Sequence, residues 1–198
     1  MLRILCVAYG RPIDLSVLIG SIIVQDNPDW HLTICYDGEV PDSVSDVAKF
    51  YYSQGFKEKI DFIHSGERNG RWGHPNRSLM LNSIEPNDKD YILITNDDNY
   101  YVKGFIRIML GLCKNSDVGM VFCDTIHSHL NYNYHHSTLS VGGIDMGCFI
   151  VRADIATSVG FTSTDFAADG VYATACSKAC RNMGLKILSI PKGLFIHN

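Results

Sequence analysis

The chain has 198 residues, of which 46% are hydrophobic, 19% charged and 11% aromatic, and its formal net charge is −4. These figures are typical of one globular domain, and the mildly acidic charge argues against nucleic-acid binding through a basic surface. No apolar run reaches the roughly 18 residues of a transmembrane helix, and the apolar start ends at a Gly-Arg-Pro turn, so we expect neither a membrane span nor a signal peptide.

Short apolar runs alternate with segments of helical periodicity, which is typical of an α/β fold. Pro12 suits the first turn of a helix, and Ser43 is predicted to cap another. The predicted strands are residues 2–8, 32–36, 60–64, 91–95, 118–124, 147–151 and 185–190. The predicted helices are residues 12–23, 43–51, 75–83, 102–113, 153–159 and 168–183, and the polar residues 125–143 are predicted to form a long loop or an irregular hairpin.

The seven cysteines form no CxxC pair, and most of them lie inside apolar runs. We interpret them as free core thiols in a reducing compartment, which predicts a cytoplasmic protein. Cys176 and Cys180 are one helical turn apart, but the sequence offers no accompanying zinc ligands. No repeat or linker interrupts the chain, so we expect one domain.

Ligands of open α/β sheets bind outside the carboxyl ends of the strands, so the polar residues that follow each strand are candidates for a site. Asp97 and Asp98 follow the continuous apolar strand 91–95, and two adjacent carboxylates repel unless they are solvated, hydrogen-bonded or bridged by a cation. A divalent ion that also binds phosphate oxygens would meet this need. A capped turn before the next helix is the alternative.

Phosphate-binding and hydrolase motifs are missing from the sequence. It contains no GxGxxG after the first strand, no GxxxxGK[ST] and no GxSxG, which argues against a Rossmann oxidoreductase, a P-loop kinase and an α/β-hydrolase.

Several motifs in chain order nevertheless resemble one known family. They are Ala8-Tyr9-Gly10-Arg11-Pro12, Tyr36-Asp37-Gly38, Trp72-Gly73-His74-Pro75-Asn76-Arg77, Thr95-Asn96-Asp97-Asp98, Met146 to Asp154, Phe161 to Val171 and Phe195-Ile196-His197. Over nearly its whole length the chain resembles the GT-A glycosyltransferases, close to glycosyltransferase family 2. Thr95 stands where that family has the first Asp of its DXD motif, and Ala168 stands where it has a Glu.

The resemblance implies a Rossmann-like α/β domain of the GT-A fold, with a mostly parallel mixed central sheet flanked by helices. The domain would span residues 1–198 and could be the N-terminal part of a longer chain. The implied reaction is metal-dependent transfer of a sugar from a nucleoside diphosphate sugar, with UDP favoured, to a hydroxyl acceptor with inversion.

The resemblance also implies roles for particular residues. Asp169 would be the general base, although a carboxylate favoured by the helix dipole is the plain alternative. Mn²⁺ or Mg²⁺ would be held by Asp97, ranked first, and by Asp98 and His197. The predicted donor-binding residues are Ala8, Tyr9, Arg11, Asp37, Arg71, Trp72, Arg77, Asn96 and Asp97.

Histidines cluster in the polar segment 125–143, at His127, His129, His135 and His136. Zinc is one interpretation, but polar loops also gather histidines without metal, and we predict no metal there. Tyr132, Tyr134 and His135 are instead predicted to line an acceptor cleft.

Two other functions remain open. A sugar-1-phosphate nucleotidyltransferase should carry a Gly-rich, basic loop after the first strand, where this chain has Tyr9-Gly10-Arg11-Pro12. A non-catalytic nucleotide-sugar or carbohydrate-binding module is kept open by Thr95 and Ala168.

Overall fold

The structure is a computed structural model that describes residues 1–198. Its strands are β1 (Leu2–Ala8), β2 (Trp30–Tyr36), β3 (Ile60–His64), β4 (Tyr91–Asn96), β5 (Tyr100–Tyr101), β6 (Val118–His127), β7 (Asn133–His135), β8 (Phe149–Arg152) and β9 (Lys186–His197). Its α-helices are α1 (Pro12–Ile23), α2 (Asp42–Tyr51), α3 (His74–Asn82), α4 (Phe105–Leu112), α5 (Ala153–Val159) and α6 (Ala168–Asn182).

The strands form one mixed sheet in the order β3-β2-β1-β4-β8-β6-β9-β5, and β7 pairs with β6. Four of the eight pairings are parallel: β1 with β2, β1 with β4, β2 with β3, and β6 with β9. The antiparallel strand β8 lies between β4 and β6, so those two strands run in the same direction. The carboxyl ends of β1, β2, β4, β6 and β9 and the start of β8 therefore lie at one edge of the sheet.

The interior of the sheet is one continuous apolar cluster. β4 is buried from Tyr91 to Thr95, as expected of a central strand covered on both faces. Helix α3 packs on β1 and β2, and helix α6 packs on β6 and β9. None of the helices has the length and apolar character needed to cross a bilayer.

Several predicted boundaries are wrong, mostly by one to three residues. Ser43 lies inside α2, whose N-cap is Pro41, so the predicted Ser43 cap does not form. β2 begins at Trp30, α4 begins at Phe105, and β8 begins at Phe149 after a 3-10 turn. Sequence patterns missed β5 because two residues carry no periodicity, whereas the hairpin alternative for residues 125–143 is confirmed by the β6–β7 pairing.

The last strand is longer than the predicted 185–190 because it continues past Pro191. Proline lacks an N–H group and normally ends a strand unless it lies at an edge or in a bulge. Here the register with β6 shifts between the pairs Ile190–Cys123 and Gly193–Asp124, so the bulge takes up Pro191. Pairing then resumes to the end of the strand, where His197 lies opposite His127.

Candidate functional site

The first part of the site is an ion-pair cluster after β1 and β4. Asp97 is 1% exposed and accepts hydrogen bonds from the backbone N–H of Tyr9, at 2.9 Å, and from the Arg11 guanidinium, at 2.5 Å. Arg11 also donates to Asp98. The cation that bridges the two carboxylates is therefore the guanidinium of Arg11, which removes the repulsion noted for this pair.

Asp97 and Asp98 differ in whether a carboxylate oxygen is left without a hydrogen-bond partner. Both carboxylate oxygens of Asp97 are engaged, and burial raises its pKa to about 6 against the opposing effects of Arg11 and the Tyr9 N–H. Asp98 keeps a buried oxygen, Oδ1, without a hydrogen-bond partner. Asp98 is thus the less occupied of the two carboxylates, and the ranking of Asp97 first as a metal ligand stays a prediction.

Asp37 organises the loop that follows β3. Its two oxygens accept hydrogen bonds from the backbone N–H groups of Asn69 and Gly70, at 2.8 and 3.0 Å, and from the amide of Asn76, at 2.9 Å. The Asp37 N–H donates to the carbonyl of Ala8 at 2.9 Å, so both predicted donor-binding residues are engaged within the protein. Their direct part in nucleotide binding stays a prediction.

The same loop carries strained, exposed residues. Arg71 and Trp72 have positive φ angles of 50° and 54°, which cost energy for residues with a Cβ and tend to occur at functional sites. Trp72 is 62% exposed, and its ring lies 5.9 Å from that of Phe166, which is 82% exposed. Two large aromatic rings are thus held in solvent beside the start of α6.

A buried arginine lies under this loop. Arg77 is 2% exposed and contacts the ring of His74 and the side-chain oxygen of Asn96, while its Nε has no partner. Burial lowers the pKa of Arg77, and the charge of Asp169 opposes that shift. Arg77 and Asn96 therefore link β4 to α3 below the cleft.

Asp169 lies in the first turn of α6. Its Oδ2 accepts a hydrogen bond from the Met146 N–H at 3.2 Å. Burial raises the pKa of Asp169, and Arg77 counteracts this. The carboxylate is consequently a stronger base than an ordinary aspartate, and it lies at the same edge of the sheet as Asp97.

A second polar cluster forms where β6 and β9 end. His127 and His197 are directly paired residues of the two strands, and Asp145 lies between their rings. Asp98 and Asp169 are close enough for their charges to raise the pKa of His197, after the larger effect of its contact with Asp145. His197 therefore belongs to the same region as the other predicted site residues.

The predicted acceptor residues lie on the hairpin beside this cluster. Tyr132 has a φ of 57°, is 68% exposed, and lines an open cleft of about 360 Å³ with Asp98, Tyr100 and His129. Tyr134 donates to Asp124 at 2.8 Å, and the His135 ring lies 5.5 Å from that of His127. Only Tyr132 of the three faces this cleft.

Sequence reasoning missed two residues of the site. Asp145 received no role, although it precedes a strand whose start lies at the functional edge. Arg68 was also missed: its guanidinium lies 4.0 Å from the centre of the Tyr9 ring, which in turn lies 6.0 Å from the ring of Tyr36. An arginine-aromatic stack of this kind depends on loop folding and leaves no local sequence signal.

No family model matches the chain, and no curated protein matches it in sequence. Solved structures do match in fold. S. aureus TarS 1–349 superposes with a TM-score of 0.74 at 12% identity, covering 100% of this chain and 60% of that one. The mannosyltransferase PcManGT from Pyrobaculum calidifontis, in complex with GDP-Man and Mn²⁺, has a TM-score of 0.74 at 14% identity, covering 99% of this chain and 56% of that one.

TarS 1–349 has also been solved with UDP-GlcNAc, and that complex matches with a TM-score of 0.72 at 13% identity. This chain spans less than two thirds of the length of these proteins. The structural likeness shows that this chain shares the α/β fold of TarS and PcManGT, which agrees with the fold that the resemblance of its motifs implies.

Proposed function

We propose that this protein transfers a sugar from a nucleoside diphosphate sugar to a hydroxyl acceptor, with Asp169 as the general base. The observation that carries the proposal is the position of Asp169. Its carboxylate is held by the Met146 N–H, near the buried cation of Arg77 and at the edge of the sheet that carries Asp97 and Asp98. Ligands of this class of sheet bind at that edge, and PcManGT, with the same fold, binds GDP-Man.

The reaction is a single displacement at the anomeric carbon. The acceptor oxygen forms a bond to that carbon while its proton passes to Asp169, and the bond to the diphosphate oxygen breaks with release of the nucleoside diphosphate. One displacement inverts the anomeric configuration. The raised pKa of Asp169 strengthens it as a base, as general-base catalysis near neutral pH requires.

The donor would bind along the turns after β1, β2 and β4. The ring of Tyr9, with Arg68 on it and Tyr36 beside it, offers an aromatic surface for a nucleobase. The exposed Arg71 offers positive charge for the diphosphate, and Arg11, 43% exposed at its side chain, would reach it only by leaving its pairs with Asp97 and Asp98. UDP is our first choice of nucleotide because it is the usual donor nucleotide of the family that the motifs resemble.

A divalent cation fits this site at Asp98. Its Oδ1 is buried and unpartnered, and an ion there would take phosphate oxygens as further ligands. Asp97 fits less well because Tyr9 and Arg11 occupy its oxygens, while His197 lies within the electrostatic reach of Asp98. The ion would supply charge neutralisation of the diphosphate leaving group.

The acceptor would bind between two aromatic surfaces. Trp72 and Phe166 form one of them, and Phe166 precedes Asp169 by three residues in the chain. Tyr132 forms the other, beside Asp98, and Tyr134 and His135 support it on the same hairpin. Exposed rings suit the apolar faces of sugars, which makes a carbohydrate the first acceptor class to test.

The test is release of nucleoside diphosphate from UDP-GlcNAc, UDP-glucose and GDP-mannose, with and without Mn²⁺, by the wild type and Asp169→Asn. We expect Asp169→Asn to lower turnover by about 10²–10⁴-fold and to leave donor affinity within about twofold. Asp165→Asn is the matched control, because this exposed aspartate of the same segment bonds His74 only through its backbone oxygen.

Three results would contradict the proposal. Turnover of Asp169→Asn at the wild-type rate would remove Asp169 as the base. Nucleotide binding without turnover of any donor would favour the binding module, and formation of a nucleotide sugar from a sugar 1-phosphate would favour the nucleotidyltransferase.

A further inference from the structure

Three side chains from distant parts of the sequence meet beside the cleft. His127 ends β6, His197 ends β9, and Asp145 precedes the turn that leads into β8. The two histidines face each other in the β6–β9 register, which places both side chains on the same face of the sheet. One ligand atom from each residue lies within 4.8 Å of the other two.

These atoms are close without being hydrogen-bonded. His127 Nε2 lies 3.2 Å from Asp145 Oδ2, and His197 Nδ1 lies 3.3 Å from Asp145 Oδ1. All of these atoms except Asp145 Oδ1 are buried without a hydrogen-bond partner, as is His127 Nδ1. Each buried polar atom without a partner costs free energy, so four of them in one place require an explanation.

A shared cation explains both the distances and the missing hydrogen bonds. Nitrogen and oxygen ligands lie about 2.0–2.2 Å from a first-row metal ion, which puts neighbouring ligands of a tetrahedron or octahedron about 3.0–3.5 Å apart. The two observed nitrogen-oxygen separations, 3.2 and 3.3 Å, fall in that range. Lone pairs that converge on a metal ion do not point at each other, so the angles of a hydrogen bond are not met.

We propose that His127, Asp145 and His197 bind one first-row transition-metal ion. Two imidazoles and one carboxylate favour Mn²⁺, Fe²⁺, Co²⁺ or Zn²⁺, because Mg²⁺ and Ca²⁺ prefer all-oxygen sites. Three protein ligands leave coordination positions for water or a substrate oxygen.

The surroundings suit this ion. All three proposed ligands are partly buried. The rings of His129 and His135 lie 5.3 and 5.5 Å from that of His127, where they can orient the ligands or bound water.

This site is distinct from the Asp97–Asp98 pair. Arg11 already bridges that pair, whereas no cationic Lys or Arg side chain forms an ion pair with Asp145. The proposal does not depend on glycosyl transfer, because metal binding by these three side chains requires no sugar donor.

The test is titration of the metal-free protein with Co²⁺ and Mn²⁺ in the absence of nucleotide, with Mg²⁺ as competitor. The readouts are the visible absorption of bound Co²⁺ and the metal content after gel filtration. We compare the wild type with His127→Gln and Asp145→Asn. The matched control is His136→Gln, because that ring is 80% exposed and contacts Asp124 outside the cluster.

We expect the wild type and His136→Gln to bind one Co²⁺ that excess Mg²⁺ does not displace. Loss of one ligand should weaken binding by at least about tenfold. Equal Co²⁺ affinity of the wild type and His127→Gln would overturn the proposed site. So would Co²⁺ binding that is lost in Asp98→Asn and kept in His127→Gln.

A measurement on the wild type alone covers the case in which a ligand variant fails to fold. Pulsed EPR of bound Mn²⁺ should show magnetic coupling to imidazole nitrogen, and absence of this coupling would overturn the proposal. A protein that binds the metal ion at these residues but transfers no sugar would support this proposal and contradict the proposed function. A protein that transfers sugar but binds no ion at these residues would do the opposite.

Discussion

The burial of Asp97 predicts an unusual effect of pH on stability. The carboxylate is 1% exposed and its pKa is about 6 in the folded protein, against 3.8 for an ordinary Asp. Between these two pH values the folded state binds more protons at Asp97 than the unfolded state does. The contribution of Asp97 to stability is therefore greatest below about pH 4 and is lost as the pH rises through 6.

The size of the effect follows from the two pKa values. They differ by about 2 pH units, and each unit corresponds to about 1.4 kcal/mol, so ionised Asp97 lowers the free energy of unfolding by up to about 3 kcal/mol at pH 7. Asp97→Asn cannot ionise and resembles the protonated carboxyl in shape. We expect the stability of the variant, relative to wild type, to rise by about 2–2.5 kcal/mol between pH 4 and pH 7, because an unfolded Asp is already partly ionised at pH 4.

Urea unfolding followed by circular dichroism at pH 4, 5, 6 and 7, in the presence of a chelator, measures this difference. The matched control is Asp46→Asn, because Asp46 is 70% exposed and pairs only with Lys49 at the surface. Its stability relative to wild type should not change with pH by more than a few tenths of a kcal/mol. A relative stability of Asp97→Asn that stays flat or falls with pH would refute the reasoning, because the Arg11 pair would then outweigh burial.

Two further predictions concern the loop before α3 and the thiols. Gly73→Ala should lower stability by about 2–4 kcal/mol, because Gly73 has a φ of 78° and an added Cβ would lie 2.4 Å from a methyl carbon of Val7. Thermal unfolding measures this loss, with Gly66→Ala as the control, because Gly66 has a φ of 77° and nothing lies within 4 Å of the added Cβ. The control should lose only the stability that the positive φ costs, and equal losses of stability in the two variants would contradict the predicted overlap with Val7. Six of the seven cysteines are buried, and burial raises the pKa of the Cys148 thiol to about 12. A thiol reagent at pH 8 should therefore label at most the partly exposed Cys113 in the native protein, and all seven cysteines only after denaturation. Rapid reaction of a second native thiol would contradict this.

Local sequence patterns predicted the parts of the fold that depend on local physics. β1 and β3 have the predicted bounds, because an apolar run between polar turns fixes both ends of a strand. The helix after β4 was predicted three residues too early, because Val102 is apolar but lies outside α4. The end of β9 was missed because a bulge, which has no simple sequence signal, carries the strand past Pro191.

The site was predictable where it follows strand ends and less predictable where it depends on pairing. Arg11 and Asp97 follow β1 and β4, and the parallel pairing of those strands brings them into contact. The meeting of His127, Asp145 and His197 depends on the register of β6 with β9, which no local pattern specifies. Local composition alone predicts a polar histidine loop without metal, and the Co²⁺ titration decides between that prediction and the proposed site.

The bulge after Ile190 determines on which face of the sheet His197 lies. Between the pairs Ile190–Cys123 and His197–His127, β9 uses seven steps where β6 uses four. The three extra residues fix which side chain of β9 stands opposite His127. The spacing from Pro191 to His197 therefore sets the face of the sheet on which the histidine lies. A natural insertion of one residue in this interval would leave the fold in place and turn the histidine to the opposite face.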